Sequence, residues 1–163
     1  MKNDSEIKVH KLLSEKKICV GWQSADRKDK FSVINRLAEI AVKNENFTEK
    51  QMAEIKKALT DRENSMSTGI GDGVAIPHAS IDFIDKTFVS LCVNASGIDF
   101  KSIDYRPAHI IFLILSPKRH TKAHLQTLAA ITRILHSQEF RKRLIKCKTE
   151  NEVYSAIAEQ EAE

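Results

Sequence analysis

A glycine-rich segment that ends in a histidine is the part of this chain best suited to chemistry. The eleven residues TGIGDGVAIPH, from Thr68 to His78, contain three of the five glycines and one of the three prolines. Glycine allows backbone angles that a β-carbon forbids, so Gly69, Gly71 and Gly73 could turn N–H groups toward a small ligand. The proline before the histidine suits a strand end or edge. An imidazole held there can be a nucleophile, an acid or base, or a metal ligand.

An arginine is expected to face the same region from a preceding helix. Thr48 and Gln51 form a capping-box pattern, which predicts a helix from about Glu49. The apolar stripe of this helix reaches Arg62 three residues after its last member, so the guanidinium should point along the inner face, just before the glycine segment. The stripe consists of Met52, Ile55, Ala58 and Leu59.

A second histidine is expected on a buried helix face. The segment from Thr121 to His136 has the apolar spacing of an amphipathic helix, on which His124 shares a face with Leu128, Ile131 and Leu135. A polar imidazole in that position usually has a hydrogen-bonding reason to be there. Simpler interpretations remain open at this point: a backbone carbonyl could satisfy His124, His78 could be a packed strand-end residue, and the glycines could form only a tight loop.

Several other kinds of site are disfavoured. No Gly-Lys-Ser/Thr follows the glycines, their spacing is not that of a dinucleotide fingerprint, and there is no G-x-S-x-G nucleophile motif. His120 and His124 are four residues apart, but no acidic or cysteine ligand lies at a compatible spacing, so we expect no metal. A presented histidine, a second inward histidine, an arginine and free backbone N–H groups together suit a phosphoryl group.

Composition limits the class of protein. The 163 residues fit one domain, residues 1–163, of an ordinary water-soluble protein. No apolar run is long enough to span a membrane and no signal peptide is evident, so we expect a cytoplasmic protein without membrane insertion. The cysteines Cys19, Cys92 and Cys147 are expected to be reduced thiols. The net charge of +4 is modest, and the basic stretch from Arg141 to Lys148 fits a solvated helix face rather than a nucleic-acid site.

The order of predicted elements indicates an α/β fold with a mixed sheet between helices. The first strand is predicted at Lys16–Gln23, and a helix capped by Ser24 or Asp26 ends near Asn44. Beyond the site segment, two strands and three helices follow. These are strands Thr87–Ala95 and Ala108–Pro117, a helix over Thr121–His136, one capped by Ser137, and one with a capping box of Thr149 and Glu152.

Three segments of the chain carry a family resemblance. They are Asp61–His78, Gly97–Pro117 and His124–Leu135. With these segments, the chain resembles the EIIA domain of the fructose/mannitol class of the bacterial phosphoenolpyruvate-dependent sugar phosphotransferase system, including its nitrogen-regulatory branch. The resemblance extends from about Glu6 to Gln160 and implies an α/β fold with a mixed sheet of about five strands between helices.

The resemblance also implies the roles of the site residues. His78 would accept a phosphoryl group on Nε2 from phospho-HPr, with the other ring nitrogen held by the protein and no metal or cofactor required. Arg62 would clamp the charge, and His124 would bond the incoming oxygens. Thr68 and the amides around Gly69 to Gly73 would give further phosphate binding. The chain would thus be a phosphotransferase component with a phosphohistidine intermediate.

Two functions remain open under this resemblance. The protein could be a regulator whose phosphorylation state changes its binding to target proteins, as in the nitrogen-regulatory branch. It could instead be a transport component that passes phosphate to a sugar-specific EIIB domain. The phrase GIDFKSIDYRP and the length of the chain favour the regulatory branch.

Overall fold

A computed structural model describes residues 6–21 and 29–163. The described helices are α1 (Val9–Leu12), α2 (Lys30–Ala41), α3 (Glu49–Ser65), α4 (Thr121–Ile134), α5 (Gln138–Lys146) and α6 (Glu150–Ala162). The described strands are β1 (Ile18–Val20), β2 (Gly69–Gly71), β3 (Val74–Ala75), β4 (His78–Ile81), β5 (Phe88–Ile98) and β6 (Ala108–Pro117). Among these residues, no helix is both long and apolar enough to cross a membrane.

The strands form one mixed sheet, which confirms the predicted fold class. Its order is β1-β5-β6-β3-β2, and β4 pairs with β6 beyond β3. The long pair β5–β6 is antiparallel, whereas β1 runs parallel to β5 and both β3 and β4 run parallel to β6. Because β3 and β4 pair with successive parts of β6, they occupy one position, and the sheet has five strand positions, as expected. The described strands number six because Ile76 and Pro77 interrupt the chain between β3 and β4. Pro77 has no N–H, and the Ile76 N–H donates to the Thr68 carbonyl at 3.0 Å.

Two apolar layers cover the two faces of the sheet. Successive residues of β6 alternate between them: Ile110, Phe112 and Ile114 pack with the layer under α4, α5 and α6, and the residues between them pack with the layer under α2 and α3. This alternation follows from the two-residue period of a strand. The nearly continuous apolar run of β6 is thus explained by burial on both faces, as predicted.

Helix starts follow the predicted caps, with two corrections. Thr48 and Gln51 form the reciprocal capping box of α3. The cap of α2 is Asp29, whose carboxylate accepts the N–H of the third helical residue, whereas the proposed caps Ser24 and Asp26 lie outside the described residues. Thr149 caps α6 as predicted, but the carboxylate of the third residue of α6 accepts the N–H of residue 148 instead of completing a box.

Helix ends and strand bounds differ by a few residues from the pattern. Strand β1 covers only Ile18–Val20 of the predicted Lys16–Gln23, whose last two residues lie outside the described part. Helices α2 and α4 end at Ala41 and Ile134, before the predicted ends at Asn44 and His136. Apolar periodicity does not mark a helix end sharply, because the chain stays partly buried after the helical hydrogen bonds stop.

Removal of a buried side chain from α3 should destabilise the element that carries Arg62. Leu59 is 1% exposed, so Leu59→Ala should lower the free energy of unfolding by about 2 to 5 kcal/mol. Lys57→Ala on the solvent side of the same helix is the control, and its i,i+4 pair with Asp61 is worth at most about 0.5 kcal/mol. Urea unfolding followed by circular dichroism measures both. Equal losses would show that α3 is not held by this apolar contact.

Candidate active site

The glycine segment folds as a tight hairpin. Strands β2 and β3 pair with Gly71 opposite Val74, so Asp72 and Gly73 form a two-residue turn. Both turn residues have positive φ, 56° and 77°, as a type I′ hairpin turn requires. The Asp72 N–H donates to the carboxylate of Asp104 at 3.0 Å. The Asp-Gly pair is a strong hairpin signal, so the tight loop that the sequence left open as an alternative is a hairpin turn.

This hairpin lies away from the histidine that follows it. The Gly73 carbonyl accepts the N–H of Ile110, whereas His78 pairs with Ile114 on the same strand. Four residues of strand separate these positions by about 13 Å. Gly69 pairs with Ala75, three residues before the histidine. The structure therefore does not bring Gly71 and Gly73 to the imidazole, and their N–H groups are not placed to bind a phosphoryl group on His78.

His78 begins β4 with its ring half-buried and one nitrogen fixed. Its Nδ1 lies 2.8 Å from the carbonyl oxygen of Ile76. A carbonyl only accepts hydrogen bonds, so the neutral ring carries its proton on Nδ1 and leaves a lone pair on Nε2. Within residues 6–21 and 29–163, Nε2 takes part in no hydrogen bond. The geometry thus presents Nε2 as the reactive nitrogen.

His124 lies beside this ring, as expected for a shared site. The two imidazole centroids are 5.3 Å apart with a tilt of 49°. His124 is in the first turn of α4, and its Nδ1 lies 2.7 Å from Oγ of Ser116. Ser116 lies on β6 and is fully buried. A serine hydroxyl, not a backbone carbonyl, therefore satisfies His124, and sequence spacing gave no signal for Ser116.

Arg62 lies in the last turn of α3 and acts electrostatically on His78. It is half-buried, and its Nη1 donates to the Met66 carbonyl at 2.7 Å. Its positive charge contributes to lowering the pKa of His78. The predicted stripe is confirmed at Ile55 and Leu59, which are buried, while its other members are half-buried. The structure thus brings Arg62 close enough to act electrostatically on the imidazole.

A buried carboxylate, which the sequence analysis did not single out, supports the end of α3 that carries Arg62. The Glu63 side chain is 0% exposed and lies 3.0 Å from Nζ of Lys30. It accepts the N–H of Thr68 at 3.1 Å and the hydroxyl of Thr68 at 2.6 Å. The spacing of Ile55, Leu59 and Glu63, four residues apart on one helix, was the available signal. Because Thr68 directs its N–H and O–H at Glu63, these donors are not open to a phosphoryl group.

Both imidazoles are held neutral near pH 7. Burial lowers the pKa of His78, and the Arg62 charge adds to this, while the Ile76 carbonyl and Glu63 oppose it. Burial also lowers the pKa of His124, with a further contribution from His78. A neutral imidazole keeps the lone pair that attacks phosphorus. Within the described part of the chain, no three His, Cys, Asp or Glu side chains converge as a metal site. The arrangement is suited to nucleophilic phosphoryl transfer.

Comparison with known proteins places the chain among sugar phosphotransferase components. The family model of the phosphoenolpyruvate-dependent sugar phosphotransferase system, EIIA 2, matches residues 12–160. The nitrogen regulatory protein of Klebsiella oxytoca is 30% identical over 158 residues, 96% of this chain and 94% of that protein. The fructose-specific EIIABC component of Bacillus subtilis is 30% identical over 151 residues, 93% of this chain. The matched region is only 23% of that longer relative.

A solved complex shares the fold. It contains the mannitol enzyme IIA and phosphorylated enzyme IIB of Escherichia coli, and its IIA chain superposes with a TM-score of 0.74 at 24% identity. The superposition covers 90% of this chain and 97% of that chain. EIIA components of this system carry a phosphoryl group on a histidine and work with an EIIB partner.

Removal of the guanidinium should change the titration of the neighbouring histidine. Arg62→Gln should raise the pKa of His78 toward its ordinary value, because a positive charge that disfavours the imidazolium is lost. Burial persists in this variant, so the pKa should stay below that value. An NMR pH titration of the ring carbons measures the shift. Arg36→Gln, on the exposed face of α2, should leave it unchanged. An unchanged or lower pKa in Arg62→Gln would show that the charge does not reach the ring.

Proposed function

This chain belongs to the EIIA 2 family of the phosphoenolpyruvate-dependent sugar phosphotransferase system, and we propose that it carries a phosphoryl group on Nε2 of His78. The observation that carries the proposal is the orientation of this ring. Its Nδ1–H is fixed on the Ile76 carbonyl, and its Nε2 lone pair is left for bond formation. The ring is half-buried, which keeps it neutral while leaving one edge open to a partner.

The donor is a phosphohistidine of an HPr-like protein. Nε2 of His78 attacks phosphorus, a new N–P bond forms, and the N–P bond of the donor breaks with its electron pair returning to the donor imidazole. His78 retains the proton on Nδ1, so its phosphorylated ring carries a positive charge that the Ile76 carbonyl stabilises. Little covalent chemistry is required of the protein, so positioning and electrostatics supply the catalysis.

Two neighbouring side chains would stabilise the transferring group. Arg62 supplies a positive charge from the end of α3, and His124 presents its ring from the start of α4. Met66 and Leu125, which are 71% and 59% exposed, adjoin these two residues and offer apolar contact to a docking protein. We therefore also propose a cytoplasmic location, and the transfer as written uses neither a metal nor a cofactor.

We assign the regulatory role to the protein, with transport as the alternative. A match along 94% of a nitrogen regulatory protein supports a switch whose binding to target proteins depends on phosphorylation. The fructose-specific relative and the mannitol enzyme IIA complex with phosphorylated enzyme IIB support phosphoryl transfer to an EIIB domain. Both roles use the same histidine, so the site itself does not separate them.

Replacement of the carrier histidine tests the shared step. His78→Ala should abolish phosphorylation, because it removes the ring nitrogen that would form the N–P bond. The measurement is incorporation of label from radiolabelled phospho-HPr of the same organism. His136→Ala, an exposed histidine outside the site, is the control and should label as the unmodified protein does. Labelling of the His78→Ala protein would disprove the proposed carrier residue.

Onward transfer separates the two roles. The phosphorylated protein is incubated with each EIIB domain of the same organism, and the label on EIIB is followed over time. If the role is regulatory, the label should stay on His78 in every pairing, and only binding to target proteins should respond to phosphorylation. Rapid transfer to one EIIB would instead establish the transport role. Mannitol enzyme IIA with its own enzyme IIB serves as the positive control.

A further inference from the structure

We propose that Ser116 fixes the tautomer of His124, so that Nε2 of His124 carries a proton and its N–H donates a hydrogen bond to the phosphoryl group. This inference rests on the proposed function of His78 and adds a positioning residue to it. Ser116 does not touch the transferring group. It acts through the ring of His124, with which its hydroxyl forms a 2.7 Å hydrogen bond.

The direction of this bond follows from the needs of a buried hydroxyl. Ser116 is 0% exposed, and in the described part of the chain its Oγ has one hydrogen-bond partner, Nδ1 of His124. A hydroxyl has one proton and loses free energy if that proton finds no acceptor. Donation to Nδ1 satisfies it, whereas acceptance from Nδ1–H would leave the serine proton buried without a partner. Nδ1 is therefore unprotonated, and the neutral ring holds its proton on Nε2.

The two imidazoles of the site are then held in opposite tautomers. A backbone carbonyl forces the proton of His78 onto Nδ1, which leaves Nε2 as a nucleophile. The serine hydroxyl forces the proton of His124 onto Nε2, which makes it a donor. The rings are 5.3 Å apart, so a phosphoryl group on His78 would have oxygen atoms within reach of this donor.

The opposite tautomer of His124 would oppose the reaction. A bare Nε2 would face phosphoryl oxygens, which only accept hydrogen bonds, and the two lone pairs would repel each other. The register of the sheet places Ser116 near His78. On β6, Ser116 lies two residues after Ile114, and Ile114 is the residue that pairs with His78. Side chains two residues apart share one face of a strand, so Ser116 lies on the face of the sheet that carries both rings.

The tautomers can be read directly in the unmodified protein. Long-range proton–nitrogen NMR at about pH 8, where unperturbed histidines are neutral, distinguishes protonated from unprotonated ring nitrogens. We expect a proton on Nε2 of His124 and on Nδ1 of His78. A proton on Nδ1 of His124 would overturn the inference, and this result does not depend on whether His78 accepts phosphate.

Kinetics tests the consequence for phosphoryl transfer. Ser116→Ala should lower the rate of labelling from phospho-HPr by about threefold to tenfold, the effect of one hydrogen bond. Ser116→Thr keeps the hydroxyl and should retain most of the rate. In a His124→Ala background, Ser116→Ala should cause no further loss, because the ring on which it acts is absent.

The same variants can also give results that reject the role of Ser116 or the carrier function. If Ser116→Ala lowers the rate equally with and without the His124 ring, Ser116 acts through packing and the inference fails. If Ser116→Ala leaves the rate unchanged while His78→Ala abolishes labelling, the carrier function stands and the role of Ser116 is rejected. If His78→Ala still accepts label, the proposed function itself fails, whatever tautomers NMR has shown.

Discussion

The buried carboxylate of Glu63 is the interaction on which the geometry of the site depends. It accepts hydrogen bonds from both polar donors of Thr68 and pairs with Lys30 of α2, so three separate segments meet at one charge. The Thr68 carbonyl in turn accepts the N–H of Ile76, whose own carbonyl fixes the ring of His78. A charge without partners in this place would be strongly unfavourable, so the segments are held together by the need to satisfy it.

The site combines burial with access. A fully solvated imidazole would be largely neutral at pH 7 but free to rotate and to exchange tautomers. Here the rings of His78 and His124 are half-buried, which lowers the pKa of each, and each is tied through Nδ1 to a different kind of partner. The partner of His78 is a carbonyl, which only accepts hydrogen bonds, and the partner of His124 is a hydroxyl, which can donate one. The two imidazoles can therefore hold their protons on different nitrogens. In the described part of the chain, the second nitrogen of each ring has no hydrogen-bond partner.

Strand β6 acts as the rigid reference for these positions. Its apolar side chains are buried on both faces of the sheet, and it pairs along its length with β5, β3 and β4. The break at Ile76 and Pro77 divides its neighbour into two parts. The part before the break belongs to the glycine hairpin, and the part after it begins with His78. Pairing with one strand thus holds the glycine turn and His78 a fixed distance apart.

Local sequence indicated most of the helices, the long strands and the three candidate site residues Arg62, His78 and His124. The caps at Thr48, Ser137 and Thr149, the apolar run of β6, and the inward placement of Arg62 and His124 all follow from spacing and side-chain type, because these signals act within a few residues. Three features could be seen only once the strands were paired. They are the order of the sheet, the break that makes six strands from five positions, and the distance between the glycine turn and the imidazole.

Tertiary structure alone decided how the site residues are used. Ser116 and His124 are eight residues apart, Lys30 and Glu63 are 33 apart, and no local pattern links either pair. The sequence could single out a histidine, but the partner of its Nδ1 decides which ring nitrogen is left without a hydrogen bond, and that partner is fixed only when the chain folds. A hydrogen bond between distant segments forms only if donor and acceptor lie within a narrow range of distance and angle. The spacing of residues along a chain does not specify such positions.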